Sequence, residues 1–437
     1  MNLEKIFYIV ASTVLVTLFV LIVFIFSPVS YDDQQINREK VIYYADNISP
    51  AHQKIINRFN NEYKGRIRVE TINLPFEKFS TNERKELLAR YLRSKSSRID
   101  LFSVDIIWVP RFSRWALPLD RLIDTSVINT LLPFTLETCR YQDSLVALPL
   151  YADIAVMFYR NDLLRQIPQQ EKFRAELAES ITWDRFAELK RNVQKLPGRN
   201  GKPFYYFQAD AYEGLICSFF EVAAAKVPNG MKTDDKIFRD AGLVESSISF
   251  LQQLVYGSGI SPAEVTRLKE NESYQKFFEN DGFAVRGWPG FMSKTNLAFR
   301  EELRGKILPA PVPHIAGTKP VSVFGGWNLM ISRFSNNVPE VVKFITYILK
   351  EEHQKLLFEE GYLLPAVKSP YADKEFTGKY PELQFYKKLF EKGKYRPMFE
   401  EYTGISDILS SNISKAIEKN TDAATVTGTI LRQIEQN

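Results

Sequence analysis

Six places along the chain combine a carboxylate, an amide or an aromatic ring with the predicted end of a strand or a glycine turn. They are Asp46 with Asn47, Asp105 with Trp108, Tyr151 with Asp153, Tyr212 with Glu213, Trp288, and Gly326 with Trp327. An ionised carboxylate accepts hydrogen bonds from hydroxyl groups, and each such bond contributes about 1.5–3 kcal/mol. Aromatic rings supply apolar faces of fixed orientation. Any one of these residues alone is ordinarily a core or capping residue, but the set predicts a site for a sugar-like ligand.

Residues 98–120 hold one of these places and organise the first part of the chain. Residues 99–104 predict a buried strand that ends in a loop carrying Asp105 and Trp108. Ligands of open α/β sheets bind at the carboxyl ends of such strands. We therefore expect Asp105 to face a ligand, whereas Trp108 either joins it or wedges the loop in place.

No catalytic or metal-binding motif accompanies these residues. The 3 histidines have no metal-ligand spacing, and the chain lacks a nucleophile elbow, a phosphate-binding glycine loop and an EF-hand loop. The 2 cysteines, Cys139 and Cys217, cannot build a four-ligand zinc site, so neither a metal nor another cofactor is expected. Two carboxylates of the set could still form a glycosidase pair. A hydrolase therefore stays open as a weaker interpretation.

Length and charge limit the number of domains and the kinds of partner that we expect. With 437 residues the chain is long enough for two or three domains. A net charge of +5 without a long Lys/Arg run predicts no nucleic-acid partner. We expect Cys139 and Cys217 to be buried free thiols, with a single bridge between them as the alternative.

Local patterns predict an α/β architecture. Between residues 41 and 104, three strand patterns alternate with two helix patterns, the first of which begins at Ser49 followed by a proline. This order predicts right-handed crossovers onto a largely parallel sheet. Residues 321–332 read as a strand broken at Gly325 and Gly326, where a ligand or another backbone approaches closely.

The N-terminus differs from the rest of the chain. Residues 6–26 are 21 residues without a charge, which is long enough to span a bilayer as a helix. We expect an uncleaved transmembrane signal anchor, followed by a polar tether at 27–39, with the remaining chain outside the cytoplasm. A cleaved signal peptide is the alternative. Either predicts a protein of the cell membrane or the extracytoplasmic space.

Seven regions resemble the extracellular solute-binding proteins of ABC sugar importers, family 1, in its maltose/trehalose-binding branch. They are VDIIWVPRF with LPLD (104–112 and 117–120), ALPLYADIAVMFYRNDLL (147–164), ITWDRFAEL (181–189), YFQADAYEGLICSFFE (206–221), VRGWPGF (285–291), FGGWNLMIS (324–332) and GYLLPAVKSPY (361–371). The resemblance covers nearly all of residues 40–437. The regions follow one another in the family's order, which makes the resemblance specific.

The resemblance implies an α/β, two-lobe periplasmic-binding-protein fold like that of maltose-binding proteins, with the sugar in the cleft between the lobes. The implied lobes are 40–150 with 323–362, and 151–322 with 363–437. The implied crossings between them lie near 149–154, 318–323 and 361–366. The implied ligand-binding residues are Asp46, Asn47, Asp105, Tyr151, Asp153, Tyr212, Trp288, Gly326, Trp327 and Arg396.

The resemblance also implies a function. A membrane-anchored sugar-binding protein would close on a di- or oligosaccharide and deliver it to the permease subunits of an ABC transporter. Arg111 and Arg114 depart from the family pattern, which has an acidic and a small residue at these places. A sensory or scaffold ectodomain with the same fold is therefore the alternative function.

Overall fold

The computed structural model describes residues 12–19, 39–75, 78–79, 81–95, 97–227, 235–293 and 298–436. Most of the predicted anchor at 6–26 lies outside these residues, as does the predicted tether at 27–39 apart from its last residue. The described part of the anchor, 12–19, is helical. Across the described ranges, no helix has both the length and the apolar character needed to cross a membrane.

The strands and helices follow one another closely along the chain. The strands are β1 (Lys40–Asp46), β2 (Ile67–Asn73), β3 (Leu101–Asp105), β4 (Arg140–Tyr141), β5 (Ser144–Leu145), β6 (Leu148–Ile154), β7 (Val156–Arg160), β8 (Tyr205–Tyr206), β9 (Ala284–Gly287), β10 (Ile307–Ala310), β11 (Ser322–Ile331) and β12 (Gly393–Lys394). The α-helices are Pro50–Glu62, Thr81–Arg93, Val109–Phe112, Thr125–Thr130, Pro133–Glu137, Asn161–Leu164, Gln170–Glu179, Trp183–Gln194, Glu213–Lys226, Ala241–Gln252, Glu270–Glu279, Val338–Ile348, Glu351–Gly361, Lys374–Lys379, Glu382–Leu389, Tyr402–Lys419 and Ala423–Glu435.

The first sheet has the strand order β12-β11-β3-β1-β2, and β6 also pairs with β11. Strands β1, β2 and β3 are parallel, as their alternation with helices predicts. Strand β11 enters antiparallel to both β3 and β6. The sheet is therefore mixed: β1, β2 and β3 are parallel as predicted and β11 is parallel to β12, but the pairs that β11 forms with β3 and β6 are antiparallel. The helix Pro50–Glu62 begins as predicted, because Ser49 Oγ accepts a hydrogen bond from the backbone N–H of His52 (3.4 Å).

The second sheet has the order β10-β7-β9-β8. Its strands β8 and β9 are parallel, whereas β7 runs antiparallel to both β9 and β10. The helices Trp183–Gln194 and Glu213–Lys226 contribute buried aromatic and aliphatic side chains to the core around this sheet. Each sheet with its helices forms one of the two lobes.

The chain first passes from the first sheet to the second between β6 and β7, and it returns between β10 and β11. Strand β6 belongs to the first sheet and β7 to the second, with only Ala155 between them. The backbone N–H of Ala155 donates to Val323 O (2.9 Å), and that of Ala152 donates to Leu364 O (2.9 Å). The first predicted crossing is thus hydrogen-bonded to each of the other two. The exact lobe boundaries remain a prediction.

Strand β11 is continuous, although its glycine pair predicts a break. The pairing with β6 instead shifts by one residue between Trp327 and Asn328, which forms a bulge. Gly326 has φ of +128°, and a Cβ built there would lie 2.8 Å from Tyr151 O. Only glycine adopts this conformation without strain. Gly326 therefore allows β11 to pass close to β6.

Candidate functional site

Three predicted site residues stand side by side across the first sheet. Trp327 on β11 is paired with Asp105 on β3 and, on its other side, with Tyr151 on β6. Residues paired in register share one face of a sheet. Trp327 lies more than 150 positions from both of its partners in the sequence, and only the antiparallel entry of β11 brings it between them.

Asp46 ends the neighbouring strand β1 and is 3% exposed. Its Oδ2 accepts a hydrogen bond from the Tyr44 hydroxyl (2.5 Å), and its Oδ1 accepts from the backbone N–H of Asn47 (2.6 Å). Arg84 Nη2 also donates to Oδ1 (3.1 Å). Asp46 is therefore hydrogen-bonded from within the protein and orients a buried arginine.

Arg84 extends this cluster toward the aromatic residues. Its guanidinium carbon lies 4.4 Å from the centre of the Trp327 ring, a cation–π distance. On another side Trp327 meets the edge of Trp108, with ring centres 5.7 Å apart. Trp108 is 2% exposed and packs at 6.4 Å from Phe112. Burial therefore supports the interpretation of Trp108 as a wedge for the loop.

Arg396 joins the two lobes. Its Nη2 lies 3.3 Å from Asp105 Oδ1 on β3, and its Nη1 donates to Glu213 Oε1 (2.5 Å) at the start of the helix Glu213–Lys226. Glu213 also accepts hydrogen bonds from Tyr402 and Ser406 (both 2.5 Å). The Arg396 side chain is 1% exposed, so these ion pairs are shielded from water.

Asp153 and Trp288 meet where β6 passes into the second sheet. Asp153 is paired with Gly325 on β11. A Cβ built on Gly325 would lie 2.7 Å from Trp288 Cζ3 and 3.4 Å from Asp153 Cβ. The glycine therefore makes room for the indole, which the turn after β9 carries. Trp288 is partly buried, with the Arg286 guanidinium 5.2 Å from its ring centre.

Tyr212 completes the second-lobe side next to residues that sequence reasoning missed. Its hydroxyl lies beside the carboxyl of Glu270, and that carboxyl is also a neighbour of the Trp288 side chain. The Tyr274 hydroxyl accepts a hydrogen bond from the backbone N–H of Trp288 (3.1 Å). Together these contacts fix the position of the indole.

Arginines neutralise some of the cleft carboxylates but not all. Asp46 pairs with Arg84, Asp105 and Glu213 pair with Arg396, and Glu221 pairs with Arg286. In the part of the chain that the structure describes, Asp153 and Glu270 form no ion pair with a lysine or arginine. Of the missed residues, Arg286 had a signal, because a lone cation in the apolar strand FAVRG requires a partner. Arg84 and Glu270 lie in charged helical segments, where the sequence carries no signal that marks them as site residues.

Burial shifts the protonation of these groups. Burial raises the pKa of Asp153 well above its usual range, and the neighbouring carboxylates of Asp105 and Glu270 raise it further, whereas Arg286 opposes the rise. Burial also raises the pKa of Glu270, whereas the neighbouring Tyr212 hydroxyl and the Arg286 guanidinium oppose the rise. The uncharged form of each acid is therefore favoured more in the folded chain than in the unfolded chain.

This shift predicts a pH dependence of stability that Asp153→Asn removes. A carboxyl group whose pKa is raised by folding stabilises the protein most below its unfolded-state pKa, and that stabilisation is lost as the pH rises through the folded-state pKa. Asparagine resembles the uncharged acid, so the variant is expected to melt at a higher temperature than the wild type at pH 8 and at about the same temperature at pH 4. Thermal melts at several pH values measure the difference, with the exposed Glu245→Gln as the control. An equal difference at both pH values would contradict the assignment.

Two α/β lobes, joined by adjacent crossings and meeting at a cluster of acids, arginines and aromatic rings, have the architecture of a two-lobe solute-binding protein. Residues 45–355 match the family model of the bacterial extracellular solute-binding proteins. The chain belongs to this family, as its motifs predict. It is a binding protein rather than an enzyme, and the family acts outside the cytoplasm.

One relative and two solved structures are similar to this chain. A probable ABC transporter-binding protein of Deinococcus radiodurans is 24% identical over 357 residues, which are 80% of this chain and 82% of that protein. Maltose-bound MalE3 of T. maritima has a TM-score of 0.78 at 24% identity, covering 91% of this chain and 99% of that one. The GacH receptor of Streptomyces glaucescens, solved unliganded and with acarbose, has a TM-score of 0.73 at 19% identity over 91% and 99%. These structures share the fold.

The structure also shows whether the two cysteines are bonded to each other. Cys139 and Cys217 are both buried and free. Burial raises the pKa of the Cys217 thiol to about 12. The prediction of buried free thiols is confirmed, and no bridge restricts the movement of the lobes.

Proposed function

We propose that the protein captures a carbohydrate between its two lobes and passes it to the permease subunits of an ABC transporter. The observation that carries this proposal is the meeting of Trp288 with Asp153 at the crossing between the sheets. An aromatic face and an acceptor for hydroxyl groups stand next to each other there. A ligand in contact with both would reach both lobes, and it would favour their closure.

Each predicted site residue has a place in this proposal. Trp288 and Tyr212 offer a ring and a hydroxyl from the second lobe, while Tyr151 and Asp153 lie at the crossing. Asp105 and Trp327 would contact the ligand from the first sheet. Gly326 lets the strands approach, and Asp46, with the adjacent Asn47, acts through Arg84. Arg396 reaches both lobes and would position Asp105 for the ligand. The ligand class we favour is a maltose- or trehalose-like di- or oligosaccharide, which agrees with the sugars bound in structures of the same fold.

Attachment to the membrane through residues 6–26 belongs to the same proposal. The support is the 21-residue uncharged run, which is long enough to span a bilayer. Such an anchor would hold the binding lobes close to the permease. Extraction of the full chain from membranes by detergent but not by carbonate at high pH would support it. Release by carbonate would contradict it.

A thermal-shift screen of the full chain in detergent tests the sugar proposal. A ligand that binds only the folded state stabilises it by about 2.7 kcal/mol at 100 times its dissociation constant. For a chain of this size we expect the cognate sugar to raise the melting temperature by roughly 2–5 °C. Mono-, di- and oligosaccharides are compared at sub-millimolar concentration, where sugars do not stabilise proteins in general. An unchanged melting temperature with every sugar would contradict the proposal. Release of glucose from maltose would support the alternative that the protein is a glycoside hydrolase.

A further inference from the structure

Arg111 and Arg114, the basic residues that depart from the family pattern, both contact the C-terminal part of the chain. Arg111 Nη1 donates to Thr403 Oγ1 (3.1 Å), and Arg114 Nη2 donates to Glu400 Oε2 (2.8 Å). The Tyr141 hydroxyl donates to the other oxygen of Glu400 (2.6 Å). Three side chains of the first lobe thus hold one short C-terminal segment.

The helix Thr81–Arg93 makes a second set of contacts with the same region. Lys85 Nζ lies 3.4 Å from Asp407 Oδ2, and Asn82 Nδ2 donates to Asp407 Oδ1 (2.9 Å). The Lys85 side chain is only 3% exposed, whereas that of Asp407 is 50% exposed. A buried ammonium group needs an anionic partner, and Asp407 supplies it from another element.

The two sides of these contacts are attached to different lobes. The helix Thr81–Arg93 connects β2 to β3, and Arg111 and Arg114 follow β3. The helix Tyr402–Lys419 packs against the helices Glu213–Lys226 and Ala241–Gln252 of the second lobe. A rotation that opens the cleft must therefore separate these contacts. Within the cleft, Arg396 adds its link between Asp105 and Glu213.

We infer that these contacts form a latch that holds the two lobes together in the absence of a ligand. The members of this C-terminal latch are Asn82, Lys85, Arg111, Arg114 and Tyr141 on the first lobe, and Glu400, Thr403 and Asp407 on the other side. The inference rests on the proposed cleft and adds a control over access to it. A closed cleft admits a ligand only when the latch opens, so the latch sets how often the site is accessible. Its ion pairs are partly exposed, so salt weakens them.

The test measures the distance between the lobes without any sugar. Nitroxide labels are placed at Lys64→Cys, after the first helix of the first lobe, and at Lys172→Cys, on a helix beside the second sheet; both positions are exposed. The native cysteines are buried and stay unlabelled. Pulsed electron paramagnetic resonance on the full chain in nanodiscs is expected to show one dominant short distance. The variant Glu400→Lys with Asp407→Lys places like charges opposite Arg114 and Lys85. We expect it to lower the ratio of closed to open molecules at least tenfold.

A matched control separates the latch from a general effect of charge. Glu39→Lys with Glu70→Lys makes the same change in net charge at the partners of Arg68, inside the first lobe. This control is expected to keep the wild-type distance. Adding Arg114→Glu to the latch variant restores one ion pair of opposite orientation and is expected to recover part of the short distance. A wild type that is already open without sugar, or a latch variant that keeps the short distance, would overturn the inference. Because no sugar is present, neither outcome depends on whether the cleft binds one.

Discussion

Replacing Arg396 by alanine is expected to lower the free energy of unfolding by about 3–5 kcal/mol. The Arg396 side chain is 1% exposed and balances two carboxylates, Asp105 and Glu213, that are themselves 15% and 9% exposed. Removing the cation leaves both acids poorly hydrated and next to one another, and the Coulombic repulsion between them adds to the cost. Urea unfolding followed by circular dichroism measures the change.

Two further variants show whether charge or packing causes this loss. Arg114→Ala removes an arginine from an exposed ion pair and is expected to cost less than about 1 kcal/mol. Arg396→Met combined with Asp105→Asn and Glu213→Gln removes the cation and both charges together, while keeping most of the buried volume. Because replacing a whole buried ion-pair network is often neutral, this triple variant is expected to regain most of the lost stability. An Arg396→Ala protein as stable as the wild type would show that the cleft is hydrated and open in solution.

The sequence predicts the local elements well because their signals are local. The alternation of strands and helices up to β3 and the cap at Ser49 each depend on residues a few positions apart. The antiparallel entry of β11 depends on a pairing between Trp327 and Asp105 across more than 200 residues, which no local pattern encodes. For the same reason the sequence indicates a largely parallel sheet where the structure has a mixed one.

The candidate site shows the same division. Residues at strand ends, such as Asp105 and Asp153, are recognisable because a polar group there interrupts an apolar run. Arg84 and Glu270 lie in helical segments rich in charge, where a buried arginine looks like its solvated neighbours. Arg111 and Arg114 stand out only by comparison with a family pattern. Their contacts with Thr403 and Glu400 could not be foreseen, because they depend on how the two lobes are placed.

Variants of two tryptophans distinguish a residue that stabilises the fold from a residue that is proposed to bind the ligand. Trp108 is 2% exposed and packs between Phe112 and Trp327, so Trp108→Ala leaves a cavity in the first lobe. Substitutions of this kind cost about 3–5 kcal/mol. We expect a matching loss in the free energy of unfolding in urea. A loss below about 1 kcal/mol would show that Trp108 does not hold its loop in place.

Trp288→Ala is expected to weaken sugar binding while leaving the stability of the fold nearly unchanged. Trp288 is only partly buried, and it stands over Gly325 beside Asp153 at the crossing between the lobes. Its removal takes the aromatic face from the proposed site while the sheets on either side keep their pairing. The affinity for the sugar found by thermal shift is therefore expected to fall at least tenfold, which corresponds to about 1.4 kcal/mol.

Calorimetry on both tryptophan variants at a temperature where both are folded separates the two roles. If Trp288 binds the ligand, its variant loses affinity and stays nearly as stable as the wild type, while the Trp108 variant loses stability and keeps its affinity. Equal affinity in the Trp288 variant would move the site away from the crossing. The ligand would then have to bind on the first sheet alone, around Trp327 and Arg84, where contact with one lobe gives no reason for closure.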